Sequence, residues 1–246
     1  MPQNSKVVGP QTQSIPDDLS SVYLILDKEE TMDDFLKERI EKYDLWLGEG
    51  KISFSSKVIP VGQSLEGKQW VLPTEQALNI VRNASTVALK KCLCREHYSR
   101  CDNPLEVCLV LNDFGDKFVA DGSARPISIS DAADVLQEAN DHGLVHLSLY
   151  MPDHQVGALC SCCSCCCHDL QIVKLTNRKD LMVRSEYVAS TDPDTCTQCG
   201  DCVERCLFGA RVLVDEQMKY DSTACLGCGL CITVCPVQAT TMEPRA

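Results

Sequence analysis

The sequence predicts an α+β fold, with a cysteine-rich α/β-type N-terminal region ahead of a small C-terminal domain built from two similar halves. Three observations predict it. Helical and strand patterns alternate up to about residue 150. All 18 cysteines lie at or beyond Cys92. Near the C-terminus one cysteine pattern occurs twice, starting at Cys196 and again at Cys225.

The N-terminal elements follow from composition and periodicity. Residues 1–20 are rich in Pro, Gln and Ser, which predicts an extended or disordered arm. A helix is predicted from Thr31, because Thr31 can cap it and Met32, Phe35, Leu36, Ile40 and Tyr43 recur at helical spacing. The run 48–50 (Gly-Glu-Gly) ends it. Short strands are predicted at 51–55 and 58–61, and we expect residues 21–72 to serve core packing or partner contact.

Further elements surround the first cysteines. Thr74 is expected to cap a helix over 75–82, and a strand over 85–93 leads into Cys92. A helix is predicted from Ser130, with acidic residues in its first turn and a stop at Gly143. A strand over 144–150 follows, and residues 171–190 are expected to form a helix and an extended segment. Residues 73–187 are therefore predicted to form the cysteine-rich domain, and residues 188–246 the second domain.

Composition limits the function classes. The formal charge of −12 disfavours nucleic acid as a partner and suits docking to a basic patch on another protein. The polar start has no secretory h-region and no apolar run is long enough to span a bilayer, so a cytoplasmic protein is expected. In a reducing compartment, 18 cysteines indicate metal ligation in preference to disulfides.

The C-terminal motif is specific. It reads Cys196-x-x-Cys199-x-x-Cys202-x-x-x-Cys206, then Cys225-x-x-Cys228-x-x-Cys231-x-x-x-Cys235-Pro236. Three thiolates at every third position can surround one face of a 4Fe–4S cubane, while each fourth cysteine ligates the other cluster. Zinc sites usually pair one CxxC with a distant pair, so the spacing favours two 4Fe–4S clusters.

These residues resemble the bacterial-type two-cluster ferredoxins over about residues 188–246. The resemblance implies two pseudo-symmetric halves. It also implies one cluster held by Cys196, Cys199, Cys202 and Cys235, and another held by Cys225, Cys228, Cys231 and Cys206. Leu207 replaces the proline that usually follows the fourth cysteine, a change that should not cost a ligand.

Ten further cysteines lie outside this motif: Cys92, Cys94, Cys101, Cys108, Cys160, Cys162, Cys163, Cys165, Cys166 and Cys167. Dense soft thiolates select iron–sulfur clusters, copper(I) or zinc, and iron–sulfur is favoured because the chain already carries a ferredoxin motif. The ten thiols could hold two ordinary clusters, one cluster of unusual shape, or one cluster with a spare thiol pair. Arg95 is predicted to contact the cofactor, and His97, His146 and His168 are ligands, cluster neighbours or ordinary core residues.

The stretch from Pro73 to the C-terminus also resembles anaerobe proteins known generically as ferredoxin-type 4Fe–4S proteins. The resemblance rests on Cys92-Leu93-Cys94-Arg95, on Cys101-Asp102-x-Pro104-x-x-x-Cys108 and on the 160–167 run. It implies an anaerobic redox role without naming a reaction. The cysteine-rich subunits of heterodisulfide reductases are a weaker analogy, because Ser164 stands where their motif needs glycine.

The leading prediction is an iron–sulfur protein that carries single low-potential electrons, as a subunit or dedicated partner of a larger oxidoreductase, with a hetero-oligomer as one possible form. No Gly-rich nucleotide-binding run is present, so nucleotide chemistry must come from a partner. The alternative is a reductase whose active site is a cluster or thiol pair within 160–167. A redox or metal sensor ranks last.

Overall fold

The computed structural model describes residues 32–60, 73–152, 155–176, 178 and 181–245. Residues Met32–Ala246 form one compact unit. The predicted arm over residues 1–20, the cap at Thr31 and the strand end at Val61 lie outside the described residues. The predicted boundary at residue 188 remains a prediction.

The helices run, in chain order, over α1 (Asp34–Gly48), α2 (Pro73–Arg82), α3 (Leu93–Tyr98), α4 (Asn112–Ala120), α5 (Ile129–Asp141), α6 (His168–Thr176), α7 (Asp201–Glu204) and α8 (Leu230–Thr233). The strands are β1 (Ser56–Ile59), β2 (Val87–Lys90), β3 (Cys108–Leu111), β4 (Ala124–Pro126), β5 (Val145–Tyr150), β6 (Val156–Cys162), β7 (Met182–Val183), β8 (Tyr187–Thr191), β9 (Arg211–Val214), β10 (Gln217–Tyr220) and β11 (Thr240–Pro244). Mixed helix and sheet confirms the predicted α+β class.

The first seven strands form one sheet in the order β4-β2-β3-β6-β5-β1-β7. Every pairing is antiparallel except that of β1 with β7. One face carries Leu89, Leu109 and Leu159 on neighbouring strands, and α2 and α5 pack against it. The opposite face carries Ala88, Val110 and Ala158, and the small residues leave room for the aromatic rings of α4. The sheet is therefore covered on both sides, which buries most of its inner strands, whereas the edge strand β4 is largely exposed.

Several predicted elements are present with shifted ends. Asp33 caps α1, accepting from the backbone N–H of Leu36 at 2.9 Å. In α5 the cap is Ser128, which forms a capping box with Asp131. The predicted strand over 85–93 pairs only over Val87–Lys90, since the chain turns at Cys92 and α3 begins at Leu93.

The predicted strand over 51–55 is wrong. The backbone N–H of Lys51 bonds back to Trp46 at 2.8 Å, so the chain is still leaving α1 there. Ile52 is buried among residues of α1 and α6 without any strand pairing. Strand pairing starts at Ser56, which is opposite Leu149 of β5. The segment after α1 thus supplies a strand to the central sheet.

The C-terminal region repeats its backbone at the spacing of the cysteine motif. Helices α7 and α8 follow Gly200 and Gly229, which have φ of 88° and 80°. Such left-handed conformations favour glycine, since it has no Cβ. Strand β8 pairs with β11, and β9 pairs with β10. The motif therefore repeats in local structure as well as in sequence.

Candidate metal centres

The eight cysteines of the C-terminal motif line two cavities of nearly equal size. One has about 320 Å³ of empty space, part of it open to solvent, and is lined by Cys196, Cys199, Cys202 and Cys235. The other has about 330 Å³ of such space and is lined by Cys206, Cys225, Cys228 and Cys231. These are the two sets of four that the ferredoxin resemblance implies, each with its fourth thiol supplied by the other half. Four thiols around one cavity suit a cubane, since each can bind a different iron.

Arg211 lines the second cavity and lies beside Cys202 of the first, and sequence reasoning missed it. Its side chain is 2% exposed, and Nη1 donates to Thr191 Oγ1 at 2.9 Å and lies 3.8 Å from Cys202 Sγ. Burial alone would lower the pKa of Arg211, but the thiols of Cys231 and Cys202 raise it, so the guanidinium stays charged. Buried Nη2 has no hydrogen-bond partner among the described residues. A buried donor without a partner is costly unless a group in the cavity accepts from it.

One signal could have revealed Arg211. At the repeat spacing it matches Thr240, the first residue of β11, and both follow an alanine, Ala210 and Ala239. An arginine at a position that its repeat partner fills with a small buried residue is an anomaly. It places a positive charge beside thiolates.

Six of the ten remaining cysteines lie close enough to shift one another's pKa, and we call them the six-thiol ring: Cys92, Cys94, Cys108, Cys160, Cys162 and Cys167. Interaction with the thiols of Cys108 and Cys94 lowers the pKa of Cys92. Cys108 and Cys162 lower the pKa of the Cys160 thiol, and Cys160 and Cys167 raise the pKa of Cys162. Interaction with Cys92, burial and the charge of Cys167 raise the pKa of Cys94.

The sheet explains why these thiols meet. Cys108 is the first residue of β3, and Leu109 pairs with Leu159 of β6, which places Cys108 opposite Cys160. Cys162 ends β6 and pairs with Val145 of β5. Cys92 follows β2, so the ring gathers at one end of the sheet.

The other four cysteines form a separate group, which we call the four-thiol group. It contains Cys101, Cys163, Cys165 and Cys166, whose Sγ atoms all lie within 4.8 Å of one another. Cys101 follows α3, whereas the other three belong to the turn between β6 and α6. Cys163 and Cys166 are buried, and Cys101 and Cys165 are half-buried.

Arg95, the predicted cofactor neighbour, lies between the ring and the group. It is 2% exposed, and its guanidinium donates to the carbonyls of Pro104 and Ser161. Burial alone would lower the pKa of Arg95, but Cys92, Cys163 and Cys108 raise it. Its buried Nε has no partner among the described residues. Arg95 can therefore offset thiolate charge on both sides, and its contact with a cofactor remains a prediction.

The three histidines differ in their surroundings. His146 is a satisfied core residue: Nε2 donates to Asn140 Oδ1 at 2.6 Å, and Ser161 Oγ donates to Nδ1 at 3.1 Å. Burial lowers the pKa of His146 to about 4. His97 stacks on Phe35 of α1, with 4.3 Å between ring centroids.

His168 contacts a ring thiol. Its Nδ1 lies 3.0 Å from Cys94 Sγ, and its Nε2 lies 2.8 Å from the hydroxyl of Tyr43. The Tyr43 hydroxyl, the His168 imidazole and the Cys94 sulfur all have hydrogen-bond partners when Tyr43 donates to Nε2 and Nδ1–H donates to the sulfur. Tyr43 of α1 thus reaches the six-thiol ring through His168. A donor to a ligand sulfur is a common means of tuning a metal site.

The two cysteine-rich regions share one hydrophobic cluster. Cys160, Cys162 and Cys167 of the ring pack there with Leu230 and Cys228 of the C-terminal motif. The second cavity and the ring are therefore adjacent within the same core. Among the described residues, no helix is long and apolar enough to cross a bilayer.

Comparison with known proteins supports the iron–sulfur interpretation. A family model described as a 4Fe-4S binding domain matches residues 217–240, which contain the second cysteine run. The pyruvate synthase subunit PorD of Methanothermobacter marburgensis is 38% identical over 52 residues, covering 21% of this chain and 60% of that protein. An iron–sulfur protein of Rhodospirillum rubrum is 32% identical over 104 residues, covering 37% of this chain and 53% of that protein.

A third relative is the archaeal-type glutamate synthase [NADPH] of Thermotoga maritima. It is 32% identical over 63 residues, which cover 25% of this chain and 12% of that protein. The chain thus spans less than two thirds of the length of each of these three relatives. The matches confirm the predicted iron–sulfur, electron-transfer class, and they show a 4Fe–4S binding segment near the C-terminus of this chain.

Proposed function

We propose that the protein carries single low-potential electrons through two C-terminal 4Fe–4S clusters and at least one further iron–sulfur cluster in the six-thiol ring. It serves as a subunit or dedicated partner of a larger anaerobic oxidoreductase. The observation that carries this proposal is the shared hydrophobic cluster, which includes Cys228 of the C-terminal motif together with Cys160, Cys162 and Cys167.

The residues of both cavities fit the clusters assigned to them. Each cavity has four cysteines from both halves of the repeat. The backbone N–H of Ala239 donates to Cys235 Sγ at 3.2 Å, and Arg211 brings positive charge to Cys202 and Cys231. Donors and charge of this kind stabilise thiolates and shift cluster potentials. When bound, the clusters supply one-electron redox chemistry.

The six-thiol ring fits a further cluster for a different reason. Its six thiols exceed what zinc requires, and Cys92, Cys108, Cys162 and Cys167 are each less than 9% exposed. Buried thiols this close repel one another once ionised, so they need a polynuclear cation to share. His168 and Arg95 supply donors and positive charge beside the ring.

The proposal of an oxidoreductase partner rests on the net charge of this chain and on the names of its relatives. PorD is named as a subunit of pyruvate synthase, and the glutamate synthase by its use of NADPH. The formal charge of −12 suits a basic docking surface on an oxidoreductase, with electrostatic attraction steering the encounter. The nucleotide or organic cofactor of the reaction would belong to that partner.

A second function is favoured by the thiol count of the ring. A cubane needs four thiolates, so two of the six are surplus and could reduce a disulfide substrate, with electrons from the C-terminal clusters. The product of that reaction would be two thiols for every two electrons delivered.

The test is a reductive titration of anaerobically purified full-length protein, followed by EPR. We expect uptake of about one electron per cluster, hence about three per chain, and no thiol product from added glutathione disulfide. Reoxidation by an oxidised viologen dye should then be fast and stoichiometric. Catalytic production of glutathione would replace the carrier assignment with the reductase, and a chain that takes up no electrons would contradict both.

A further inference from the structure

The four-thiol group differs from the other cysteine sites in how tightly its sulfurs are packed. Cys101 Sγ lies 3.8 Å from Cys163 Sγ and 4.0 Å from Cys166 Sγ. Cys165 Sγ lies 3.8 Å from Cys166 Sγ. All four sulfurs are mutually within 4.8 Å. The four sulfurs therefore surround a space that fits a single ion, and they do not line a larger cavity.

These distances match a single ion. Zinc–sulfur bonds of about 2.3 Å in a tetrahedron place the sulfurs about 3.8 Å apart. In a cubane each cysteine binds a different iron, which places the sulfurs roughly 6 Å apart. Cys165 and Cys166 are too close to bind two corners of one cube. The C-terminal motif provides a contrast. Among the described residues, no three of its cysteines have Sγ atoms that all lie within 4.8 Å of one another.

We propose that Cys101, Cys163, Cys165 and Cys166 bind one divalent metal ion in a tetrahedral four-thiolate site that contains no inorganic sulfide. Zinc is the preferred ion and ferrous iron the other, since both take four thiolates in this geometry. The proposal does not depend on the electron-transfer function.

The surroundings of the group are arranged for such an ion. Asn103 Nδ2 donates to Cys101 Sγ at 3.3 Å. The buried guanidinium of Arg95, whose pKa the neighbouring Cys163 helps to raise, offsets the net charge of about −2 that four thiolates leave on a divalent ion. These contacts orient the ligands without binding the ion themselves.

Backbone contacts fix the turn that supplies three of the ligands. Arg100 Nη1 donates to the carbonyl of Cys165 at 3.1 Å, and Gln171 Nε2 donates to that of Cys166 at 2.9 Å. Arg100 also donates to Gln171 Oε1 at 2.9 Å, which joins the two supports. The N–H of Cys167 closes the turn on the carbonyl of Cys163 at 3.1 Å.

The position of the turn gives the ion a role. Cys162 and Cys167, both members of the six-thiol ring, flank it directly in the chain. An ion that ties Cys101 to the turn therefore holds these two ring thiols in place. The site is structural, and it orients a neighbouring redox site.

The test is metal and labile-sulfide analysis of full-length protein purified without oxygen, with Cys101→Ala as the variant and Cys196→Ala as the matched control. Wild type should contain about one ion per chain beyond the iron matched by sulfide. Cys101→Ala should lose that ion, whereas Cys196→Ala should keep it and lose about four irons with four sulfides. The extra metal is identified by comparing the zinc content of the protein with its content of iron that has no matching sulfide.

X-ray absorption on the wild-type protein gives a second readout that needs no variant to fold. At the edge of the extra metal we expect four sulfurs at about 2.3 Å and no neighbouring metal at short distance. A loss of about four irons and four sulfides from Cys101→Ala would overturn the proposal by showing a cubane. Wild-type protein with no ion beyond the sulfide-matched iron would overturn it as well.

Discussion

Removing the charge of Arg211 should lower the reduction potentials of both C-terminal clusters. The guanidinium interacts with Cys231 and Cys202, which belong to different predicted ligand sets. Reduction adds one negative charge to a cluster, and a buried cation stabilises that charge. In Arg211→Gln the polar side chain remains and the cation is lost, so each reduced cluster loses the same kind of stabilisation.

The size of the effect follows from the structure. Nη1 of Arg211 lies 3.8 Å from Cys202 Sγ. The electron that reduces the cluster spreads over it, at an average distance from the guanidinium of about twice that value. Coulomb's law with an effective dielectric constant of about 20 gives about 2 kcal/mol at about 8 Å. That free energy corresponds to a potential about 90 mV lower for a one-electron couple.

The assay is an EPR-monitored redox titration of the full chain. Lys219→Gln is the matched control, because it makes the same charge change at an exposed site on β10 of the same hairpin. Its shift should be small, since solvent screens an exposed charge. Arg211→Lys should retain most of the wild-type potential. A shift in Arg211→Gln no larger than that in Lys219→Gln would refute the electrostatic role of Arg211.

Three further predictions concern ligation, pH and backbone strain. Cys196→Ala and Cys228→Ala should each remove one EPR-detected cubane and about four irons; two intact 4Fe–4S signals in both variants would contradict the ligand sets. Burial lowers the pKa of His146 to about 4, so the unfolded state binds the proton first as pH falls, and about 3 kcal/mol of unfolding free energy should disappear between about pH 6.5 and pH 4. In urea titrations His146→Gln should reduce this slope, and an unchanged slope would exclude His146 as its source. Gly227 has φ of 76°, and an added Cβ would meet Ser185 Oγ and the Tyr187 carbonyl, whereas Gly50 has φ of 68° and open space. Gly227→Ala should therefore cost at least about 1 kcal/mol more than Gly50→Ala in chemical denaturation, and equal losses would rule out the steric contact.

The C-terminal motif could be predicted from sequence because its information is local. A cysteine at every third position, with Gly200 and Gly229 ahead of α7 and α8, determines where three thiols of each set lie. The partition of the other ten cysteines could not be predicted. It depends on the pairing of Leu109 with Leu159, which brings Cys108 opposite Cys160 across 52 residues of chain, and spacing contains no information on that register.

Helix α4 was missed because its start has no capping signal. Leu111 occupies the N-cap position and makes no side-chain cap bond, while Asn112 has φ of 55°. The strand wrongly predicted at 51–55 rested on the alternation of Ile52 and Phe54. Ile52 is buried beside α1 and α6, and Phe54 packs edge-on against Tyr150 at 4.8 Å. Side-chain burial alone produced that alternation, without a partner strand.

Iron and labile-sulfide content of wild-type protein purified without oxygen tests the central claim most directly. Two C-terminal cubanes and one cubane in the six-thiol ring predict about twelve irons matched by about twelve sulfides per chain. About eight of each would confine the clusters to the C-terminal motif, and would contradict the proposal that the six-thiol ring extends the electron path.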